Sequence, residues 1–299
     1  MRRHEFLTGL HQVLTPRSYL EIGVNDGRGL ACSSTRTIGV DPVLRVSVEV
    51  ACDLKLVEST SDDFFARPDA TGWFDDNVID LAFIDGMHLS EFVLRDFINT
   101  ERFSSPGTAV LVDDMLPRTV EEAARDRITG NWTGDVFKVA AVLEKYRPDL
   151  VVVRLDTEPT GTVLVIGLDP DNRVLSEHYE QIEKDLVVSD PQDVPHEILH
   201  RLSAADPALV LASAVWGDLV ATRTADAGPT ESLRSLLELR GTAHYVSNPP
   251  PNTPWPRKKK AAAKSAAKSL PPGQRKAAQK RTTTRPKSVA QRLRAAIRR

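Results

Sequence analysis

The chain of 299 residues is 41% hydrophobic, with 39 Lys and Arg, 41 Asp and Glu, 20 Pro and two Cys, enough for one large or two modest globular domains. No apolar run approaches the ~18 residues of a membrane span, and Met1-Arg2-Arg3-His4-Glu5 lacks the apolar stretch of a secretory signal, so a cytoplasmic protein is expected. Cys32 and Cys52 are too few for a disulfide framework or a structural zinc site, and read as buried thiols.

The net charge of −2 conceals a division. No Asp or Glu follows Glu238, and sixteen of the Lys and Arg fall in residues 257–299, which leaves 23 basic residues against all 41 acidic ones before them. Residues 248–299, opened by Asn248-Pro249-Pro250-Pro251, hold too few large apolar side chains to offset the entropy of ordering, and are expected to be disordered.

Along the body, Phe6, Leu7, Leu10, Val13 and Leu14 have helical spacing over 5–14, and Pro16 ends that run. Tyr19-Leu20-Glu21-Ile22-Gly23-Val24 reads as a short apolar strand and 37–41 as a second. A short helix over 61–66, a strand over 78–85, a helix over 88–100 and a strand over 108–112 follow. Next come a helix over 135–146 and strands over 150–155 and 162–168, whose short connection predicts an antiparallel hairpin at a sheet edge. Strands alternating with helices predict an α/β, doubly wound, mostly parallel sheet covered on both faces. Residues 169–247 read as a mainly helical extension, so the expected units are 1–168, 169–247 and 248–299.

In such sheets ligands bind at the carboxyl ends of the strands. Glu21-Ile22-Gly23-Val24-Asn25-Asp26-Gly27 stands at the first of these ends, where its glycines either let a ligand approach the backbone or simply make a tight turn. Asp41 ends the next strand, where a carboxylate can accept both ribose hydroxyls of a nucleoside. Ser61 and Asp62 follow the third strand region and either contact an adenine ring or, for Ser61, cap the helix. Ile84-Asp85-Gly86-Met87-His88 and Val110-Leu111-Val112-Asp113-Asp114 close two neighbouring strands, whose ends lie ~5 Å apart. Three carboxylates converging there need a cation or protons between them, and a hard divalent ion suits oxygen ligands. The competing reading makes each aspartate a helix cap and His88 a solvated residue; the set of three beside His88 favours a site.

Over residues 1–168 the chain resembles the class I S-adenosylmethionine-dependent methyltransferases. Glu21-Ile22-Gly23 with Gly27 looks like their first motif, and Asp41 stands where their ribose-binding acid is expected. Ile84-Asp85-Gly86-Met87-His88, with Pro106-Gly107 leading to Asp113-Asp114, resembles the branch of metal-dependent small-molecule and macrolide-sugar O-methyltransferases. The resemblance implies a seven-stranded Rossmann-like sheet and S-adenosylmethionine held by Glu21, Gly23, Asp26, Gly27, Asp41, Ser61, Asp62 and Asp85. It further implies Mg2+ on Asp85, Asp113 and Asp114. His88, where catechol-type enzymes carry a lysine base, becomes the catalytic residue for methylating a hydroxyl of a small molecule, glycan or glycolipid. Val24-Asn25-Asp26 lacks the central glycine of the commoner first motif, and a cephalosporin hydroxylase shares the fold and motif set, which leaves that chemistry as an alternative.

Two signals lie outside this resemblance. His196-Glu197-Ile198-Leu199-His200 has the zinc-protease spacing, but no further His follows in residues 201–207, and a solvated helix start after Pro195 explains it better. The basic segment 257–299 suits a polyanion or an anionic membrane, which would place the protein at a membrane or nucleoid, or else it folds against the acidic body. A non-catalytic polyanion-binding protein is the alternative from a different class. A second copy of the chain completes the expected partners.

Overall fold

The central strands carry apolar residues at successive positions, so both faces of their sheet demand cover. In the computed structural model, which describes residues 1–223 and 231–245, that cover is built from helices on each side. The described residues belong to one compact unit, Met1–Trp255. The segment 248–299 and its expected disorder lie outside the described residues.

The strands are β1 (Ser18–Ile22), β2 (Arg36–Asp41), β3 (Asp53–Glu58), β4 (Leu81–Ile84), β5 (Ala109–Val112), β6 (Val151–Leu155) and β7 (Thr162–Ile166), in the order β3-β2-β1-β4-β5-β7-β6. All neighbours pair parallel except β7, which runs antiparallel between β5 and β6. The expected 150–168 hairpin forms, with β6 at the edge and β7 inserted beside β5.

Alternation sorts each strand's side chains to opposite faces. Leu20, Ile22, Ala82, Ile84, Val110 and Val112 face one way, against Phe64 of α2 (Ser61–Phe65), Val93, Leu94 and Phe97 of α3 (Ser90–Glu101) and Val139 and Leu143 of α4 (Lys138–Tyr146). Tyr19, Leu81, Phe83, Ala109 and Leu111 face the other way, against Phe6, Leu7, Leu10 and Leu14 of α1 (Arg3–Leu14).

The segment after 168 contributes to both faces. Ile182 and Leu186 of α6 (Tyr179–Leu186), which follows α5 (Val174–Glu177), join the α3 side. Beyond α7 (His196–Leu199), Val210 of α8 (Pro207–Leu211) and Trp216 and Leu219 of α9 (Val215–Ala221) pack on the α1 side, together with Leu233 and Leu236 of the 3-10 helix Glu231–Leu239. These helices are too short to build a strong periodic signal. Among the described residues no helix is long and apolar enough to cross a membrane.

Several expectations shift. The third strand region expected before Ser61, without bounds, is β3 at 53–58 on the outer edge: Asp53 and Glu58 are exposed and only Val57 is buried, so the apolar signal is thin. Helix α2 is capped by Thr60, whose Oγ1 accepts from the Asp63 amide at 3.1 Å, and not by Ser61. Helix α4 begins at Lys138 instead of 135, because Asp135 is buried among the partners described below. Cys32 and Cys52 are half-buried rather than buried.

One buried charge ties the C-terminal ends of α3 and α4 together. Arg147, 1% exposed, donates through Nη1 to both carboxylate oxygens of Glu101 at 2.8 Å and through Nη2 to Asp149 at 2.7 Å. Arg147→Ala strands the buried Glu101 carboxylate and is expected to cost about 3–5 kcal/mol in urea unfolding. The double variant Arg147→Met/Glu101→Leu, which removes both charges, is expected to recover most of that loss.

Candidate active site

Pairing registers set where the site lies. Ile22 sits opposite Val40 and Ile84, and Ile84 opposite Val112. The residues leaving the ends of β1, β2, β4 and β5 therefore gather at one edge of the sheet. There a cleft of about 530 Å³ is lined by Gly23, Asn25, Asp41, Ser61, Asp62, Asp85, Gly86, His88, Phe92 and Asp114, with Arg3 and Arg127 also on its wall.

One half of the cleft is shaped by backbone. Gly23 has φ +91° and donates its amide to the Val40 carbonyl at 2.9 Å; a Cβ there would collide with the Asp85 carbonyl, so the β1 and β4 ends meet only because residue 23 is glycine. Asn25, at φ 46°, donates its amide to Asp41 Oδ2 at 3.0 Å, and the Val43 amide reaches Asp41 Oδ1 at 2.7 Å. The Asp41 carboxylate is thereby fixed at the cleft wall with lone pairs remaining. Asp62 is clamped by Arg95, Nε to Oδ1 at 2.7 Å and Nη2 to Oδ2 at 2.6 Å.

The other half is charged. His88 Nδ1 lies 2.7 Å from Asp114 Oδ2 and 2.9 Å from the Trp132 carbonyl, while Nε2 is 3.7 Å from Asp85 Oδ1. Its ring stacks on Trp132 with centroids 5.1 Å apart and planes 7° from parallel. Asp114 has φ 61° and accepts from the Thr160 hydroxyl at its other oxygen. Asp113 faces Arg3, whose guanidinium donates to Asp113 Oδ2 and lies 3.8 Å from Asp85. Asp113 Oδ1 is buried without a partner.

The ionisation follows from this arrangement. Burial pushes the Asp85 carboxyl up to about 6, with Arg3 and His88 opposing and Asp114 reinforcing the rise. Asp113 is held well above the usual carboxylate range, by burial first and then by Asp114 and Asp85. Burial opposes charge on Asp114 as well, but His88 and Thr160 outweigh it and hold Asp114 low. For His88 burial favours the neutral ring, yet Asp114, Asp85 and Asp113 raise it to about 9. His88 and Asp114 thus form an ion pair at neutral pH.

A loop before α4 carries the stacking partner of His88, and buried charges anchor it. Arg125 donates to Glu91 Oε1 at 2.6 Å and to Asp135 Oδ2 at 2.7 Å, and Asp135 Oδ1 accepts the Ser90 amide at 2.9 Å. Trp132 Nε1 donates to the Ala124 carbonyl at 2.6 Å.

Three expected cofactor-binding residues stand elsewhere. Glu21 shares its strand face with Tyr19, is 1% exposed and accepts the Tyr19 hydroxyl at 2.8 Å, and burial lifts its carboxyl to about 8; it supports the turn at Gly29 from below instead of lining the cleft. Asp26 pairs with Arg28 at 2.8 Å, and Gly27, at φ +88°, shapes the turn beside Val46. Phe92 and Thr160 join the site without a signal in the sequence, whereas Asn25 lies inside the glycine-bearing turn and Arg127 and Trp132 lie in the stretch 118–132, expected to shape the acceptor pocket.

The implied magnesium ligands do not assemble as a set. Donor atoms within 4.8 Å of one another come from Asp85, His88 and Asp114, without Asp113. Asp113 instead spends its cation-facing oxygen on Arg3, and Asp114 is occupied by His88 and Thr160. Among the described residues this is the sole such cluster. His196 and His200 place their rings 4.1 Å apart on an exposed single turn, with no third ligand among the described residues, so the zinc-protease spacing stays the solvated helix start.

Residues 20–115 match the family model described as a methyltransferase domain. The sheet that carries them has the Rossmann-like fold of S-adenosylmethionine-dependent methyltransferases. No curated protein matches the chain. Among solved structures it is similar to the cofactor-bound Rv0187 from MTB, with a TM-score of 0.44 at 16% identity over 55% of this chain and 78% of that one. An O-methyltransferase from Bacillus cereus in complex with SAH gives 0.42 at 16% identity over 56% and 80%. The O-methyltransferase TomG from Streptomyces achromogenes in complex with SAM gives 0.41 at 18% identity over 55% and 78%.

The turn at Gly23 makes the domain testable at one atom. Gly23→Ala adds a methyl group at a left-handed position against the Asp85 carbonyl, so it is expected to lower the thermal midpoint by several degrees and to abolish calorimetric binding of S-adenosylhomocysteine.

Proposed function

We propose that the chain transfers a methyl group from S-adenosylmethionine to a hydroxyl oxygen of a small-molecule or sugar acceptor. The observation that carries this reading is one cleft in which a nucleoside-type wall, Gly23 and Asp41, adjoins a proton-handling pair, His88 and Asp114. The wall fits the cofactor: Asp41 is free to accept ribose hydroxyls, Gly23 and Gly86 leave the backbone open, and Ser61 and Asp62 border the adenine end. When bound, S-adenosylmethionine supplies an already activated methyl group, so the protein's task is to hold the acceptor oxygen and take its proton.

His88 is suited to that second task. Asp114 fixes the ring through Nδ1, Trp132 fixes its plane, and Nε2 is left on the cleft side towards Asp85. The carboxylates that hold the proton on His88 also make its neutral form a strong base. The groups facing it are Asp85 at the end of β4, Asp113 and Asp114 at the end of β5, and Arg3 of α1, with Arg127 on the same wall. Acceptance of a proton needs the neutral ring, which is scarce at pH 7 when the pKa is about 9. With catechol and sugar hydroxyls as acceptors, kcat/KM is therefore expected to rise about tenfold per pH unit and to level near pH 9. His88→Ala is expected to lose that slope and to fall ~100-fold at the plateau. A flat profile in the unmodified protein would remove His88 from the role of base.

Asp41→Ala removes charge-assisted acceptors for the ribose and is expected to weaken S-adenosylhomocysteine by about 1–3 kcal/mol in calorimetry. An intact protein that binds none of it would sink the reading, leaving the polyanion-binding alternative.

The composition of 257–299 supports a second, separable role. Sixteen positive and no negative charges there favour contact with an anionic polymer or membrane by a protein of the cytoplasm. Deleting 257–299 is expected to abolish retention on a heparin support below about 0.3 M salt, with cofactor affinity unchanged.

A further inference from the structure

We propose that Arg3 is the resident counter-cation of the acidic strand ends, taking the position a divalent ion would need, so that the methyl-transfer site works without a metal. The inference rests on the methyltransferase reading above and names what neutralises its carboxylates. Asp85, Asp113 and Asp114 leave the ends of two adjacent strands, and each already faces a cation of the chain. Arg3 donates to Asp113 and lies 3.8 Å from Asp85, and His88 lies 2.7 Å from Asp114.

Arg3 is held there by the fold. It is the first residue of α1, whose Phe6, Leu7 and Leu10 are fully buried, and its amide donates to the Glu158 carbonyl at 3.1 Å. Its side chain is 21% exposed, directed inwards to the cleft. A lysine in this place could yield to a metal by losing its proton; a guanidinium cannot, and remains charged beside any incoming ion. To admit a divalent ion on Asp85 and Asp113, Arg3 must leave, and Asp113, 3% exposed with one oxygen unpartnered, loses its hydrogen bond. The chain therefore carries the acidic pattern of a metal site with the metal's charge supplied by the first turn of α1.

The test uses Mn2+ titrated into the full chain, followed by electron paramagnetic resonance of the free ion, with S-adenosylhomocysteine affinity measured in parallel. The unmodified protein is expected to leave Mn2+ free to ~1 mM, whereas Arg3→Met is expected to gain one bound ion per chain at least ~10-fold more tightly. Arg3→Met/Asp113→Asn is expected to lose that gain, and Arg3→Lys, which keeps a positive charge, to gain less than Arg3→Met. A tight Mn2+ site in the unmodified protein that Asp114→Asn removes would overturn the proposal, as would a folded Arg3→Met with no gain. Should Arg3→Met not fold, the titration of the unmodified chain still decides. Loss of S-adenosylhomocysteine binding in the unmodified chain would count against the methyltransferase reading and leave the Mn2+ result to be read by itself.

Discussion

Three carboxylates, Asp85, Asp113 and Asp114, leave the ends of two hydrogen-bonded strands, and none of the three is left fully in water. Such a cluster is stable only if protons or cations enter with it. The fold supplies both. Arg3 and His88 bring positive charge, Thr160 supplies a hydroxyl to Asp114, and Asp113 keeps its proton more tightly than a solvated carboxyl does. Much of the site's architecture follows from this requirement: where α1 starts, why residue 88 is a titratable ring, and why the loop behind it must be anchored.

That anchoring is electrostatic as well. Trp132 can stack on His88 only if the loop between β5 and α4 is held, and Arg125 holds it by reaching both Glu91 on α3 and Asp135 before α4. Asp135 in turn accepts the Ser90 amide, which helps satisfy the N-terminal turn of α3 where Leu89 offers no capping side chain. The same carboxylate thus ends a loop and starts a helix. The wall of the cleft that carries His88 is thereby referred to the N-terminus of α3.

How much of this could be read from the sequence depends on whether a signal is local. The strands β1, β2, β4 and β5 announce themselves as apolar runs, and the residues at their ends, Gly23, Asp41, Asp85 and Asp114, line one cleft because parallel pairing aligns those ends. The bounds of edge strand β3 escaped because an edge exposes most of its side chains, so its alternation is shallow. Glu21 misled because strand parity, not proximity to the motif, decides which way it points: with Tyr19 it faces the α1 side, away from the cleft. Asp113 and Asp114, adjacent in sequence, part company because Asp114 adopts φ 61° and sends its carboxylate to His88. Nothing in Met1-Arg2-Arg3-His4-Glu5 marks Arg3 as a site residue, since its meaning comes from a helix that docks more than eighty residues away in sequence from its partners.

The docking of that helix links the far end of the chain to the chemistry. Helix α1 packs against α8 and α9, and Gly9 lies so close to Leu211 that a Cβ at Gly9 would press on the leucine side chain. None of these C-terminal helices lines the cleft, yet they complete the apolar layer that keeps α1 in place. A shift of α1 along its axis by one turn, ~5 Å, would replace Gly9 against Leu211 with a residue that carries a side chain and would take Arg3 away from Asp113. The register of α1 is therefore fixed by charge at its first residue as much as by packing along its length. The described helices beyond 168 then buttress α1, whose first residue faces the concentrated negative charge at the carboxyl edge of the parallel strands.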